Sequence, residues 1–235
     1  MAKRPEVIIF DVGDTLISVA RYDRRRGIRA LLEKAELPGS GDVEELARHG
    51  EELDRELESR CAPRNLEYSQ RAFHRLLYGS FGVRFNASDA EVERTYWDEA
   101  LEFKLEPGVP EALEAVRQSG CRMAIISNTT FSAEVITGEL VKQGIGGFFE
   151  MVLTSADLGI RKPDSRIFQT AAGLLEVSTG ACWYVGNSEF FDVLGSSEAG
   201  MGPFWYNRYG REAHLPPGAL MFREWARFSE FLPNA

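Results

Sequence analysis

At 235 residues, with 44% hydrophobic and 27% charged content, the chain has the composition of a folded globular protein with a sizeable core, which sets disorder aside. Its formal net charge of -9 excludes a general affinity for nucleic acid or an anionic membrane, since both call for a basic face. The scattered Cys61, Cys121 and Cys182 argue against a disulfide framework and for buried, reduced thiols in a cytoplasm, while His49, His74 and His214 read as solvated residues without zinc-type spacing.

The amino-terminal MAKRPEVIIF is positively charged, but its apolar run is too short for a signal peptide, and no segment is long and apolar enough to span a bilayer. Glu6 to Phe10 is β-branched and apolar, as a strand buried on both faces of a parallel sheet would be. It runs into FDVGDTL, which sets Asp11 and Asp14 around Gly13 at a strand end.

Residues 18–104 change the rhythm. IRALLEKAEL, VEELARHGEELDRELES, RAFHRLLYGSFG and AEVERTYWDEALEF are amphipathic at helical spacing, and no strand is predicted among them. This segment is therefore expected to be an all-helical cap inserted into an α/β core formed by residues 1–17 and 105–235. The charge run ARYDRRRGIR reads as a solvated helix face. Within it Arg21, Tyr22 and Arg25 are candidate substrate contacts, because they follow the Asp11 loop closely.

Beyond the insertion, VPEALEAVRQSG predicts a helix with a glycine stop at Gly120. The runs RMAII, MVL and CWYV predict strands at Arg122–Ile126, Met151–Leu153 and Cys182–Val185. Pro203 to Tyr206 and Leu220 to Phe222 add further strands, the former placed toward an edge because proline cannot donate to a ladder. Alternating strands and helices predict a doubly wound, Rossmann-like parallel sheet, whose ligands sit at the carboxyl ends of strands. Asp11, Ser127 and Gly186 fall there.

Taken together, FDVGDTL, IISN, RKPDSRIF and VGNSEFFDVLGSSEAGM resemble, in order and spacing, the four motifs of the haloacid dehalogenase-like (HAD) superfamily, in the subgroup with a helical cap after the first motif. The resemblance covers almost the whole chain, weakly in the cap. It implies that Asp11 is the nucleophile, with Ser127 and Lys162 binding a phosphoryl group and Asn128 helping to orient substrate. It also implies Mg²⁺ held at Asp11, Gly13, Asn187 and Asp192, with Glu189 in reserve, and a small phosphorylated molecule as partner. Arg161 is expected to face solvent or a carboxylate rather than the chemistry.

Two positions depart from the pattern of the family's phosphatases. Gly13 stands where a second aspartate normally protonates the leaving group and then activates water, and Asp14, one residue on, reads as a structural loop acid. Asn187 stands where an acidic metal ligand is expected, which predicts weaker metal binding. The first reading is thus a Mg²⁺-dependent phosphatase without its usual general acid. Its alternatives are a catalytically silent ligand-binding or scaffold protein and, third, a 2-haloacid dehalogenase, against which stand Gly13 and Phe168 where bulky or tyrosine side chains are usual.

Overall fold

The computed structural model describes residues 4–37, 39 and 41–232. In chain order its elements are β1 (Val7–Phe10), β2 (Ile17–Tyr22), α1 (Arg24–Glu33), β3 (Ala35–Leu37), α2 (Val43–Cys61), α3 (Gln70–Ser80), β4 (Arg84–Phe85), α4 (Asp89–Ala100) and β5 (Leu101–Leu105). There follow α5 (Val109–Gln118), β6 (Arg122–Ser127), α6 (Ala133–Lys142), β7 (Met151–Thr154), α7 (Ser155–Leu158), α8 (Ser165–Leu174), β8 (Cys182–Gly186), α9 (Gly195–Glu198), β9 (Gly202–Tyr206) and β10 (Leu220–Phe222).

Six parallel strands form the central sheet in the order β10-β9-β8-β1-β6-β7. Strand β1 lies between β6 and β8, with Phe10 opposite both Ile125 and Val185. Because successive strand side chains point to opposite faces, Ile8 and Phe10 join one core with Leu113, Val116 and Trp225, while Val7 and Ile9 join another with Ile167, Phe168 and Ala171. Apolar burial on both faces explains the unbroken VIIF run. The chain turns to one side of β1 for β6 and to the other for β8, so a crevice opens at their carboxyl ends.

Residues 18–104 contain α1 to α4, packed around Ile28, Leu46, Phe73 and Tyr96, with Asp23, Asp42, Ser69 and Ser88 accepting backbone N–H groups at the helix starts. The expectation of no strand here needs correction. β2 and β5 pair antiparallel as a ribbon joining the two parts of the molecule, and β3 pairs with β4. LEFKL alternates, with Leu101, Phe103 and Leu105 at period two, but it follows α4 without an intervening turn residue, so its pattern merged with the helix before it.

A second correction concerns β9, which is an interior strand between β8 and β10. Pro203 is tolerated because β10 pairs only with Phe204–Tyr206, leaving the proline ahead of the doubly paired stretch. His74 is likewise not solvated: it is 3% exposed, with ring centroids 5.6 Å from Tyr78 and 4.8 Å from Tyr96. Cys121 and Cys182 are buried and Cys61 partly so, all as free thiols. Among the described residues no helix is long and apolar enough to cross a membrane.

Candidate active site

Asp11 follows β1 directly, and its N–H donates to the Val185 carbonyl at 2.9 Å, which carries the β1–β8 ladder one residue further and delivers the carboxylate into the crevice. The chain then turns tightly, with the N–H groups of Leu16 and Ile17 both donating to the Val12 carbonyl, at 2.9 and 3.1 Å. Thr15 is brought back under the strand end, where its hydroxyl donates to Asp11 Oδ2 at 2.8 Å. Asp14 takes the left-handed conformation at φ 53°, which Asp tolerates better than most side chains. Gly13 does not: its φ lies outside that region, and a Cβ there would meet no atom within 4 Å.

Lys162, between β7 and α8, is fully buried. Its ammonium donates to Asp11 Oδ1 at 2.8 Å, Asp192 Oδ1 at 2.6 Å and the Tyr184 hydroxyl at 2.8 Å, using all three donors. Tyr184 in turn donates to the Ile126 carbonyl at 3.1 Å. Burial alone would depress the lysine's pKa, but the carboxylates of Asp11 and Asp192 outweigh it and hold it above its ordinary value. Burial pushes Asp192 upward against the pull of Lys162. The other Asp192 oxygen accepts the Ser188 N–H at 2.8 Å, and a Cβ at Gly186 would collide with the Asp192 side chain, so this close approach requires glycine.

Asn128 is tied to the backbone of Lys162. Its Nδ2 donates to the Lys162 carbonyl at 3.0 Å and its Oδ1 accepts the Lys162 N–H at 2.8 Å, so both ends of the amide brace the lysine backbone. Lys162 itself bonds to protein acceptors, and an incoming phosphoryl group must share or displace them.

Asp11, Gly13, Ser127, Asn128, Lys162, Asn187 and Asp192 all line one cavity of about 610 Å³. The Ser127 hydroxyl has no hydrogen-bond partner among the described residues and lies at the end of β6, facing that space. Arg161 also reaches the cavity, but it is ion-paired with Glu58 at 2.9 Å, the carboxylate partner foreseen for it. Arg21 and Arg25 do not: they pair with Glu102 and Glu44 on the surface, Arg25 on a helix as the charge run suggested but Arg21 on strand β2. Tyr22 lines a second cavity, between the cap and the segment that follows β6.

Sequence reasoning missed Thr15, Tyr184 and Arg211. Tyr184 carried a signal, a hydroxyl inside a wholly buried strand that must find a partner. Arg211 carried none. It belongs to the irregular segment after β9, and it lines the cavity because the buried Asn207 side chain binds its N–H at 2.9 Å and its carbonyl at 2.8 Å. No carboxylate pairs with its guanidinium among the described residues.

For a metal, the cavity offers hard oxygens: the carboxylates of Asp11 and Asp192, the Asn187 amide and the Gly13 carbonyl. No group of three or more Asp, Glu, His or Cys side chains forms a metal site among the described residues, so the set needs the amide and the backbone. The Asn187 side chain has no hydrogen-bond partner among those residues, and its main-chain carbonyl accepts from Trp205 at 3.0 Å. An oxygen set that retains room for water fits Mg²⁺.

Known proteins resemble this chain in sequence and in fold. Glyceraldehyde 3-phosphate phosphatase of Methanopyrus kandleri is 31% identical over 201 residues, covering 83% of this chain and 81% of its own. Haloacetate dehalogenase H-2 of Moraxella sp. is 28% identical over 213 residues, 88% of each chain. The solved 2-haloacid dehalogenase from Pseudomonas syringae pv. Tomato DC3000 shares the fold at a TM-score of 0.65 and 22% identity, over 96% of this chain and 97% of that one. Residues 5–200 match the haloacid dehalogenase-like hydrolase profile, a span that includes every residue of the cavity except Arg211. The chain belongs to the haloacid dehalogenase-like hydrolase family.

Proposed function

We propose that this hydrolase is a Mg²⁺-dependent phosphatase that acts on a small-molecule phosphate ester through an aspartyl-phosphate on Asp11. The observation that carries the reading is the position of Asp11: a carboxyl group at the end of β1, opening into the 610 Å³ cavity with Lys162 at 2.8 Å and with the Ser127 hydroxyl, unpartnered among the described residues, lining the same cavity. The similarity to a glyceraldehyde 3-phosphate phosphatase supports phosphoryl transfer.

In the first step an Asp11 oxygen attacks phosphorus, the phosphorus–ester oxygen bond breaks, and the leaving oxygen departs with the electron pair. Ser127 donates to a phosphoryl oxygen, and Lys162 and Arg211 balance the dianion's charge. In the second step water attacks phosphorus, the acyl phosphate bond breaks, and phosphate leaves with Asp11 regenerated. Asp11, Gly13, Asn187 and Asp192 would hold Mg²⁺, which when bound neutralises charge on the transferring group. Gly13 supplies no proton in either step.

The test is phosphate release from phenyl phosphate, with and without Mg²⁺, beside halide release from chloroacetate. Mg²⁺-stimulated phosphate release supports the reading. Halide release alone moves the chain to the dehalogenases, and neither product, with phosphometabolites still shifting the melting temperature, makes it a silent binding protein.

A further inference from the structure

The second cavity, of about 910 Å³, lies between the cap and the segment that follows β6, beside the first, and Val19, Leu101 and Phe131 line both. A group seated in this chamber therefore abuts the reaction cavity. Its polar lining is already satisfied internally. The Tyr22 and Tyr96 hydroxyls bond each other at 3.1 Å, and Tyr68 donates to Asp54 at 2.8 Å, the same carboxylate that pairs with Arg24. Thr130 donates to Gln70 at 3.1 Å. Glu58 pairs with Arg161, and the exposed Arg55 bonds the Glu51 carbonyl, so that beside these charges a ligand meets mostly ring faces and aliphatic carbon, which suits a bulky apolar body.

The volume bears on size. Pockets of about 300–1,000 Å³ hold drug-sized molecules, so the leaving group of a three-carbon phosphate would leave most of this chamber unfilled. Gly13 is an independent observation bearing on chemistry. General acid catalysis is worth about 10²- to 10⁴-fold and matters most for alkoxides; a phenolate leaves without being protonated.

We propose that the substrate class is the phosphate monoester of a bulky, uncharged aryl alcohol, with phosphate in the reaction cavity and the ring system in the cap chamber. The assignment rests on the phosphatase reading and narrows it. As the bond from Asp11 to phosphorus forms, the phosphorus–aryl oxygen bond breaks, the electron pair stays on the aryl oxygen, and the phenolate takes its proton from solvent water afterwards.

The experiment compares acetyl, phenyl and 2-naphthyl phosphate, all with leaving groups that need no acid, in wild type and in Ala62→Trp, which fills the chamber from the cap side. Phenyl and naphthyl esters differ little in leaving-group acidity, so their ratio reports on size. The expected result is a kcat/KM for 2-naphthyl phosphate at least tenfold above phenyl phosphate in wild type, reduced to near parity in Ala62→Trp. Free 2-naphthol should bind wild type, by fluorescence titration, and bind the variant at least tenfold more weakly, with circular dichroism and melting temperature confirming that the variant is folded. Should Ala62→Trp fail to fold, the wild-type ratio and naphthol binding decide. Equal kcat/KM for phenyl and naphthyl esters, or no binding of 2-naphthol, overturns the chamber assignment while leaving the phosphatase reading intact. Turnover of none of the three phosphates overturns the phosphatase reading and the substrate class with it.

Discussion

Lys162 holds its ammonium 2.6 Å from Asp192, and this buried contact joins the segment after β7 to the turn after β8. Asp11, 2.8 Å away on the other side, makes the lysine the one cation between two buried carboxylates. Removing one partner of a buried pair leaves an uncompensated charge and costs about 3–5 kcal/mol. Lys162→Met should therefore lower unfolding stability by that order as well as abolish turnover, with urea denaturation as the measurement. Loss of activity at unchanged stability would mean that the lysine serves chemistry alone.

Gly13→Asp restores an acid where the family's phosphatases carry one. The backbone there is outside the left-handed region and the space is open, so the variant should fold with little change in melting temperature. The kcat/KM for alkyl phosphates, which reports the steps through departure of the leaving oxygen, should rise by about 10²-fold or more while that for aryl phosphates changes little. A parallel rise in both, or in neither, would show that departure of the leaving oxygen is not what the glycine limits.

Asn187→Asp adds a negative charge to the oxygen set that would hold Mg²⁺, and Coulombic attraction should tighten it. Titrating Mg²⁺ against melting temperature reads the change without relying on turnover. A lower midpoint than in wild type is the expected outcome. An unchanged midpoint removes Asn187 from the metal site and makes Glu189 the next position to change.

His74 predicts a pH dependence of the cap. Burial, assisted by nearby Arg24, lowers its pKa from 6.5 to about 3, and it is held neutral between Gln70 and three aromatic rings. The unfolded chain protonates this histidine below pH 6.5 and the folded one does not until about pH 3, so the neutral-histidine contribution is fully present above pH 6.5 and is lost as pH falls between those values. The slope is about 1.4 kcal/mol per pH unit. His74→Gln should show a shallower loss of stability than wild type between pH 6 and pH 4 (about two units of this range), measured by denaturation at each pH.

How far the sequence foretold these features depends on locality. The core strands were legible because VIIF, RMAII and CWYV are buried on both faces and so are apolar throughout. Asp11 and Ser127 were legible because each lies at the end of such a run, whereas Asp192, in the helical segment after β8, was reached only through the resemblance of the GNSEFFD motif. The β2–β5 ribbon was hidden because β5 begins at the residue after α4 ends, leaving no turn to mark the change of period. Asn128 was assigned to substrate because only the fold shows the Lys162 backbone lying across from it. Arg211 reaches the cavity through Asn207 and a long irregular segment, a relationship no local pattern encodes.

The central claim is that Asp11 attacks phosphorus with no acid at position 13 to assist either step. The missing group would also have activated water, so an aryl phosphate should load Asp11 quickly and the aspartyl-phosphate should hydrolyse slowly. Stopped-flow measurement of phenolate release from an aryl phosphate tests this most directly. A burst of about one phenolate per active site before the steady state is expected in wild type, and no burst and no turnover in Asp11→Asn. Linear release without a burst in wild type, or an Asp11→Asn enzyme that turns over like wild type, would contradict it.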